Sequence, residues 1–163
     1  MGSLFLKEND AWKIAASITI PLAAGAIGAF FTLPSISTWY SQLAKPALNP
    51  PNWVFGPVWT ALYVLMGVAF YLAWKKGFKG ASRNTAIGVY GLQLALNTLW
   101  SVVFFGWHSP IAGLFVITLL WISIAATIAV FYRISKTASW ILLPYLAWVS
   151  FASYLNYSIW ILN

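Results

Sequence analysis

The sequence predicts an all-α integral membrane protein, a bundle of five transmembrane helices with a long proline-rich first loop capping a pocket. Three observations carry this. The 163 residues are 61% hydrophobic and only 7% charged, more apolar surface than a domain of this size can hide within itself, so lipid must cover the outside. The apolar residues fall into five runs, at about 14–33, 52–74, 84–105, 111–132 and 140–162. Each is long enough to cross a hydrocarbon core about 30 Å thick at about 1.5 Å per residue. The basic residues alternate with the runs: Lys7, Lys13, Lys75, Lys76, Lys79, Arg83, Arg133 and Lys136 fall on one side and Lys45 alone on the other. This asymmetry predicts a cytoplasmic N-terminus, with the first loop and the C-terminus outside. The length predicts a single domain over residues 1–163.

Residues 1–13 are polar or mixed and hold Glu8 and Asp10, the only acids of the chain. Two residues apart, these would not share a helical face, so they read as a solvated start to the first helix rather than a carboxylate pair. Ile14–Leu33 is uncharged; Pro21 inside it predicts a kink, and Ala24, Gly25, Gly28 and Ala29 form small-xxx-small pairs that admit a close neighbour. Pro34 is expected to end this span. The interval Trp39–Trp59 then holds four prolines, three tryptophans and one charge, Lys45. Prolines fix φ and remove N–H donors, so this stretch reads as a rigid cap over one mouth of the bundle. The alternative is an interfacial loop whose aromatics sit at headgroup level.

In the second span Trp59, Tyr63, Gly67, Phe70 and Trp74 recur at helical spacing and form one face. In the third, Tyr90, Gln93, Asn97, Trp100 and Phe104 make a polar-aromatic stripe, and Gly88, Gly91 and Ala95 lie opposite. Carboxamides in hydrocarbon are costly unless they face partners or a cavity, and the small face can pack a helix of this chain or of a second subunit. His108 lies in the following turn and reads as solvated. The fourth span carries Trp121, Ala125 and Ala126. In the fifth, Tyr145, Trp148, Ala152 and Leu155 share a face beside Asn156, and Pro144 is expected to bend its start.

The composition excludes much chemistry. There is no cysteine, one histidine and no Asp, Glu, Lys, Arg or His in the middle of any span. A metal site, a serine-hydrolase triad and a buried proton relay therefore lack their residues, and no Walker loop is present. The net charge of +7 comes from short loops and is not a nucleic-acid footprint. What remains is aromatic area, with Trp59, Trp100 and Trp148 on inward stripes, and Gln93, Asn97 and Asn156 as placed polar groups in an apolar pocket. Ordinary aromatic packing is the alternative.

Three segments together resemble a known family: WY followed by LAKPALNPPNWVFGPVWTALY, then QLALNTLWSVVFFG, then LLPYLAWVSFASYLN. They look like the tryptophan-rich sensory protein family, TspO, also called translocator protein or peripheral benzodiazepine receptor. The resemblance implies a five-helix bundle, often a homodimer, that needs no cofactor and binds porphyrins such as protoporphyrin IX and haem, sterols, and benzodiazepine-type ligands. It implies a pocket formed by Tyr40, Pro46, Phe55, Trp59, Asn97, Trp100, Leu119, Trp148, Ala152 and Leu155. Some members degrade porphyrin in light, and the two tryptophans that matter there fall on Trp59 and Trp148. Two departures stand out. Leu48 occupies a place where the family often has Trp, which implies weaker stacking by the cap. No basic residue follows Tyr157, which implies reduced cholesterol affinity and a prokaryotic-type member of a cell membrane.

Overall fold

The computed structural model describes residues 8–77 and 81–163; Lys7 and Lys79, counted above on the basic side, lie outside the described residues. The elements are α1 (Glu8–Ser37), α2 (Trp39–Gln42), α3 (Asn52–Lys76), α4 (Ala81–Ser101), a π-helical turn (Val102–Gly106), α5 (Pro110–Ile134), α6 (Lys136–Ile141) and α7 (Leu143–Leu162). Five stretches are long and apolar enough to cross a membrane: Asp10–Ser37, Asn52–Lys76, Arg83–Gly106, Pro110–Ile134 and Lys136–Leu162. The spans are thus the five expected, with ends extended by a few residues.

The prolines explain where helices run on and where they stop. Pro34 does not end α1, which continues to Ser37. Its ring is exposed, and its carbonyl accepts from the Thr38 hydroxyl at 2.8 Å, so the last turn survives the missing N–H. Pro110 and Pro144 sit in the first turns of α5 and α7, where a missing donor costs nothing. Pro144 splits the last span into α6 and α7 at Leu142, whose φ and ψ are −84° and −10°. The Ser109 and Ser135 hydroxyls cap α5 and α6 by accepting from Ala112 and Ala138.

Helix α1 packs on α3 and α4, α4 on α5, and α5 on α7, while α3 meets the last span chiefly through α6. Around the bundle the spans therefore follow the order first, second, fifth, fourth, third. Because α6 lies at the basic end, α3 and α7 are held together there and part toward the cap.

Small residues set the closest approach. At Gly67 an added Cβ would lie 2.7 Å from the Ser17 carbonyl oxygen and 2.8 Å from Ile18 Cα, so α1 and α3 touch backbone to backbone. Gly25 lies under the Tyr63 ring and Gly28 against Ser101; the small pairs of α1 thus receive side chains from α3 and α4. Gly88 and Gly91 have nothing within 4 Å of an added Cβ. Together with the exposed Ala95 they leave the small face of α4 pointing out of the bundle, and no helix among the described residues covers it.

Gly67→Ala is expected to destabilise the protein by about 1–3 kcal/mol, the usual range for overpacking, because the obstruction is backbone. Gly88→Ala, with open space, should be neutral or slightly stabilising. Thermal unfolding in detergent, followed by helical circular dichroism, compares the two.

Candidate ligand cavity

In the half of the bundle under the cap, the parting of α3 from α7 leaves a cavity of about 310 Å³. Helix α1 lines it with Gly25, Ala29, Thr32 and Ile36, spaced four, three and four residues apart. Helix α3 supplies Asn52, Trp53, Phe55, Gly56 and Trp59. Trp100, Ser101, Phe104 and Phe105 close one wall, and Ala152, Leu155, Asn156 and Ile159 of α7 the other. From Asn52 to Trp59 the wall is about 10 Å deep at helical rise. No lining residue carries a charge, and the surface is mostly apolar and aromatic.

The floor is a cluster of rings. Trp59 lies 5.8 Å from Tyr63, 6.4 Å from Trp100 and 6.4 Å from Tyr145, centroid to centroid. Trp100 is pinned, since its indole N–H donates to Asn156 Oδ1 at 3.0 Å and Asn156 Nδ2 donates to the Pro110 carbonyl at 2.7 Å. Beneath the rings runs an uncharged hydrogen-bond seam. The Tyr63 hydroxyl donates to Asn97 Oδ1 at 2.5 Å, and Asn97 Nδ2 donates to the Tyr145 oxygen at 2.8 Å. The Tyr145 hydroxyl donates to Gln93 Oε1 at 2.9 Å, and Gln93 Nε2 ends the seam on Met66 Sδ at 3.8 Å. Gln93 and Asn97 are 1% and 2% exposed, so each hydrogen bond here replaces a desolvation cost of about 1–3 kcal/mol per group.

The roof is shorter than expected. Residues Trp53–Trp59 already belong to α3, which starts at Asn52 after Pro51, so only α2 and residues 43–51 form the cap. The Tyr40 hydroxyl donates to Asn49 Oδ1 at 2.8 Å, and the Asn49 N–H donates to the Pro46 carbonyl at 2.9 Å. Farther along, Ala44 N–H donates to Asn163 Oδ1 and Asn163 Nδ2 donates to Ala44 O, at 3.0 and 3.1 Å, which fastens the cap to the end of α7. Burial pushes the Tyr40 phenol up to about 12, although the Asn49 hydrogen bond acts the other way. Lys45 Nζ stands 4.8 Å from the Tyr40 ring centroid.

The ten residues implied by the resemblance divide as follows. Tyr40, Phe55, Trp59, Trp100, Ala152 and Leu155 line the cavity. Asn97 lies below the floor, in the seam. Trp148 stands behind Phe55, with ring centroids 6.1 Å apart, and its indole N–H is buried without a partner. Pro46 belongs to the roof turn and contributes its carbonyl. Leu119 is 40% exposed on α5, whose inward line runs through Val116, Leu120 and Ser123, so its side chain turns outward. Of the α1 wall, only Gly25 and Ala29 stand among the small residues expected to admit a close neighbour; Thr32 and Ile36 carry the same face on toward the cap. His108 is exposed but not free: it stacks on Trp39 at 4.7 Å and 16°, and its Nε2 lies 3.3 Å from the Ser35 hydroxyl, which donates to the Phe105 carbonyl at 2.7 Å.

Two outcomes follow from the seam and the roof. Asn97→Leu should cost about 1–3 kcal/mol by stranding the Tyr63 hydroxyl, measured as loss of unfolding free energy in detergent. Tyr40→Phe should remove one phenol from the late part of an alkaline absorbance titration, near pH 12. Because the folded value is raised, the stability this phenol contributes is complete below about pH 10 and is lost as pH climbs through about 12.

Residues 17–161 match the TspO/MBR family. The tryptophan-rich protein TspO of Archaeoglobus fulgidus is 50% identical over 151 residues, covering 93% of this chain and 97% of that protein. The protein CrtK of Rhodobacter capsulatus is 37% identical over 86% of each chain. The human translocator protein is 40% identical, over 91% of this chain and 89% of its own. With five spans, an indole-floored cavity and similarity along nearly the whole length, this chain belongs to the TspO/MBR family.

Proposed function

We propose that this protein is a membrane receptor or carrier for porphyrins, protoporphyrin IX and haem among them, and for related flat hydrophobic ligands including benzodiazepine-type compounds, with a role in tetrapyrrole regulation or transport. The observation that carries the reading is a charge-free cavity floored by Trp59 and Trp100, with Asn156 and Asn52 as the few polar groups able to orient a guest. Indole faces favour flat ligands, and each aromatic pair adds about 0.5–1.5 kcal/mol beyond area burial. The cavity lies at the small end of ligand pockets, which span about 300–1,000 Å³, so a tetrapyrrole fits with part of its ring standing in the mouth. The names of two relatives, translocator protein and tryptophan-rich sensory protein, accord with carrying or sensing.

A second reading is light-dependent oxidative degradation of the bound porphyrin. It is favoured by the contact of Trp59 with the oxidisable rings of Tyr63, Trp100 and Tyr145, with Trp148 one ring farther out behind Phe55. Sterol binding is expected to be weak, since Tyr157 is 47% exposed against Trp160 on the outer surface and no basic residue follows it. A homodimer through the open face of Gly88, Gly91 and Ala95 suits the lack of any cover there. The basic end faces the cytoplasm of a prokaryotic cell and the cap faces out.

Titration with protoporphyrin IX should quench tryptophan fluorescence saturably. Trp59→Phe with Trp148→Phe should weaken binding about tenfold or more; unchanged affinity would place the ligand elsewhere. Under illumination the wild type should yield a ring-opened product that Trp148→Phe does not, and equal bleaching by both removes the second reading.

A further inference from the structure

The only acids of the chain, Glu8 and Asp10, belong to its first helix at the basic end, and the one ion pair among the described residues, Lys13 with Asp10, is also there. At the opposite end stands a single cation, Lys45. It is half-buried rather than splayed into solvent. Its Nζ donates to the Leu43 carbonyl at 3.1 Å and to the Ser41 carbonyl at 3.4 Å, and lies 4.8 Å from the ring centroid of Tyr40. Tyr40 is itself a lining residue of the cavity. The ammonium has three donors; two are used, and the third has no protein acceptor among the described residues.

The loop that carries this cation is held from both sides. The paired hydrogen bonds between Ala44 and Asn163 tie the preceding residue to the end of α7. The Pro46 to Asn49 turn and the Tyr40 to Asn49 hydrogen bond tie the following residues to α2. Tyr40 stays a neutral phenol up to about pH 12, so it cannot neutralise the ammonium in its own ground. A positioned, partly desolvated cation thus stands against Tyr40, a lining residue of a cavity whose lining carries no charge.

We infer that Lys45 is the acid-recognising group of this cavity: it selects flat hydrophobic ligands that carry a carboxylate on the edge left in the mouth, and sets their orientation with the apolar edge on Trp59. This deepens the porphyrin-binding reading and rests on it. The contact is a charge-assisted hydrogen bond from the third ammonium proton to a ligand carboxylate. It lies near the membrane surface, so it is screened by salt and its effect is moderate, about fivefold in affinity.

The test compares protoporphyrin IX with its dimethyl ester, which keeps the ring and loses both charges, on the full chain in a non-ionic detergent. The wild type should bind the acid about fivefold more tightly than the ester. Lys45→Gln should erase that preference by weakening the acid alone, Lys45→Arg should keep it, and added salt should narrow it in the wild type. Equal affinity of the wild type for acid and ester overturns the inference while leaving porphyrin binding in place. An equal loss for both ligands in Lys45→Gln also overturns it, since the lysine then serves only to hold the cap. Failure of both ligands to bind the wild type overturns the porphyrin reading itself.

Discussion

An unpaired amide inside hydrocarbon has no water to fall back on, and this bundle is organised around satisfying two of them. Asn97 and Gln93 of α4 reach Tyr63 of α3 and Tyr145 of α7, so three spans meet on one line of hydrogen bonds without a formal charge. The seam fixes the height at which the helices are locked together. On its cap side α3 and α7 part; on its basic side the interior is packed with side chains such as Phe70, Tyr90 and Phe131. The floor of the cavity lies where the seam stops, because Trp59 rests directly on the tyrosines it orients and Trp100 on Trp59.

Neutral partners also govern what the site can do. A carboxylate or ammonium at this depth would be expensive and would bring a proton or a counter-ion with it. Amides and phenols give direction without charge, so the interior stays hospitable to a large apolar guest. The close backbone contact at Gly67 on the basic side and the short α6 linking α3 to the last span complete the arrangement. The bundle is clamped at one end and open at the other.

Much of this was readable from residue spacing, and the limits are physical. Tyr90, Gln93, Asn97, Trp100 and Phe104 are all buried, as their period of three and four residues required. Polar residues in hydrocarbon cannot face lipid, so a polar stripe reports its own orientation. Spacing says nothing about which groups across the bundle receive them, and the pairing of Asn97 with two tyrosines from different spans appears only in three dimensions. The cap was overextended because tryptophan and proline look alike in a loop and in a first helical turn; Pro51 initiates α3, and the exposed Pro57 is carried within it. Pro34 lies instead in the last turn of α1, where the Thr38 hydroxyl takes up its carbonyl and the helix runs on to Ser37. Leu119 came from resemblance alone, and a shared sequence pattern transfers identity more faithfully than it transfers the direction of a side chain; Trp148 came from spacing, which does not tell a lining ring from one standing behind Phe55.

The π-helical turn at Val102–Gly106 has a geometric consequence of its own. In a regular α-helix three consecutive side chains fan over about 200°, so one of the three normally leaves the interior. Here the wider turn, closed by the Trp107 N–H on the Val102 carbonyl at 2.9 Å, keeps Val103, Phe104 and Phe105 inside together, at 3%, 2% and 8% exposed. One surplus residue thereby thickens the aromatic partition on one side of the cavity. Trimming that residue would restore even winding and swing one phenyl ring into the acyl chains, turning a sealed panel into a window.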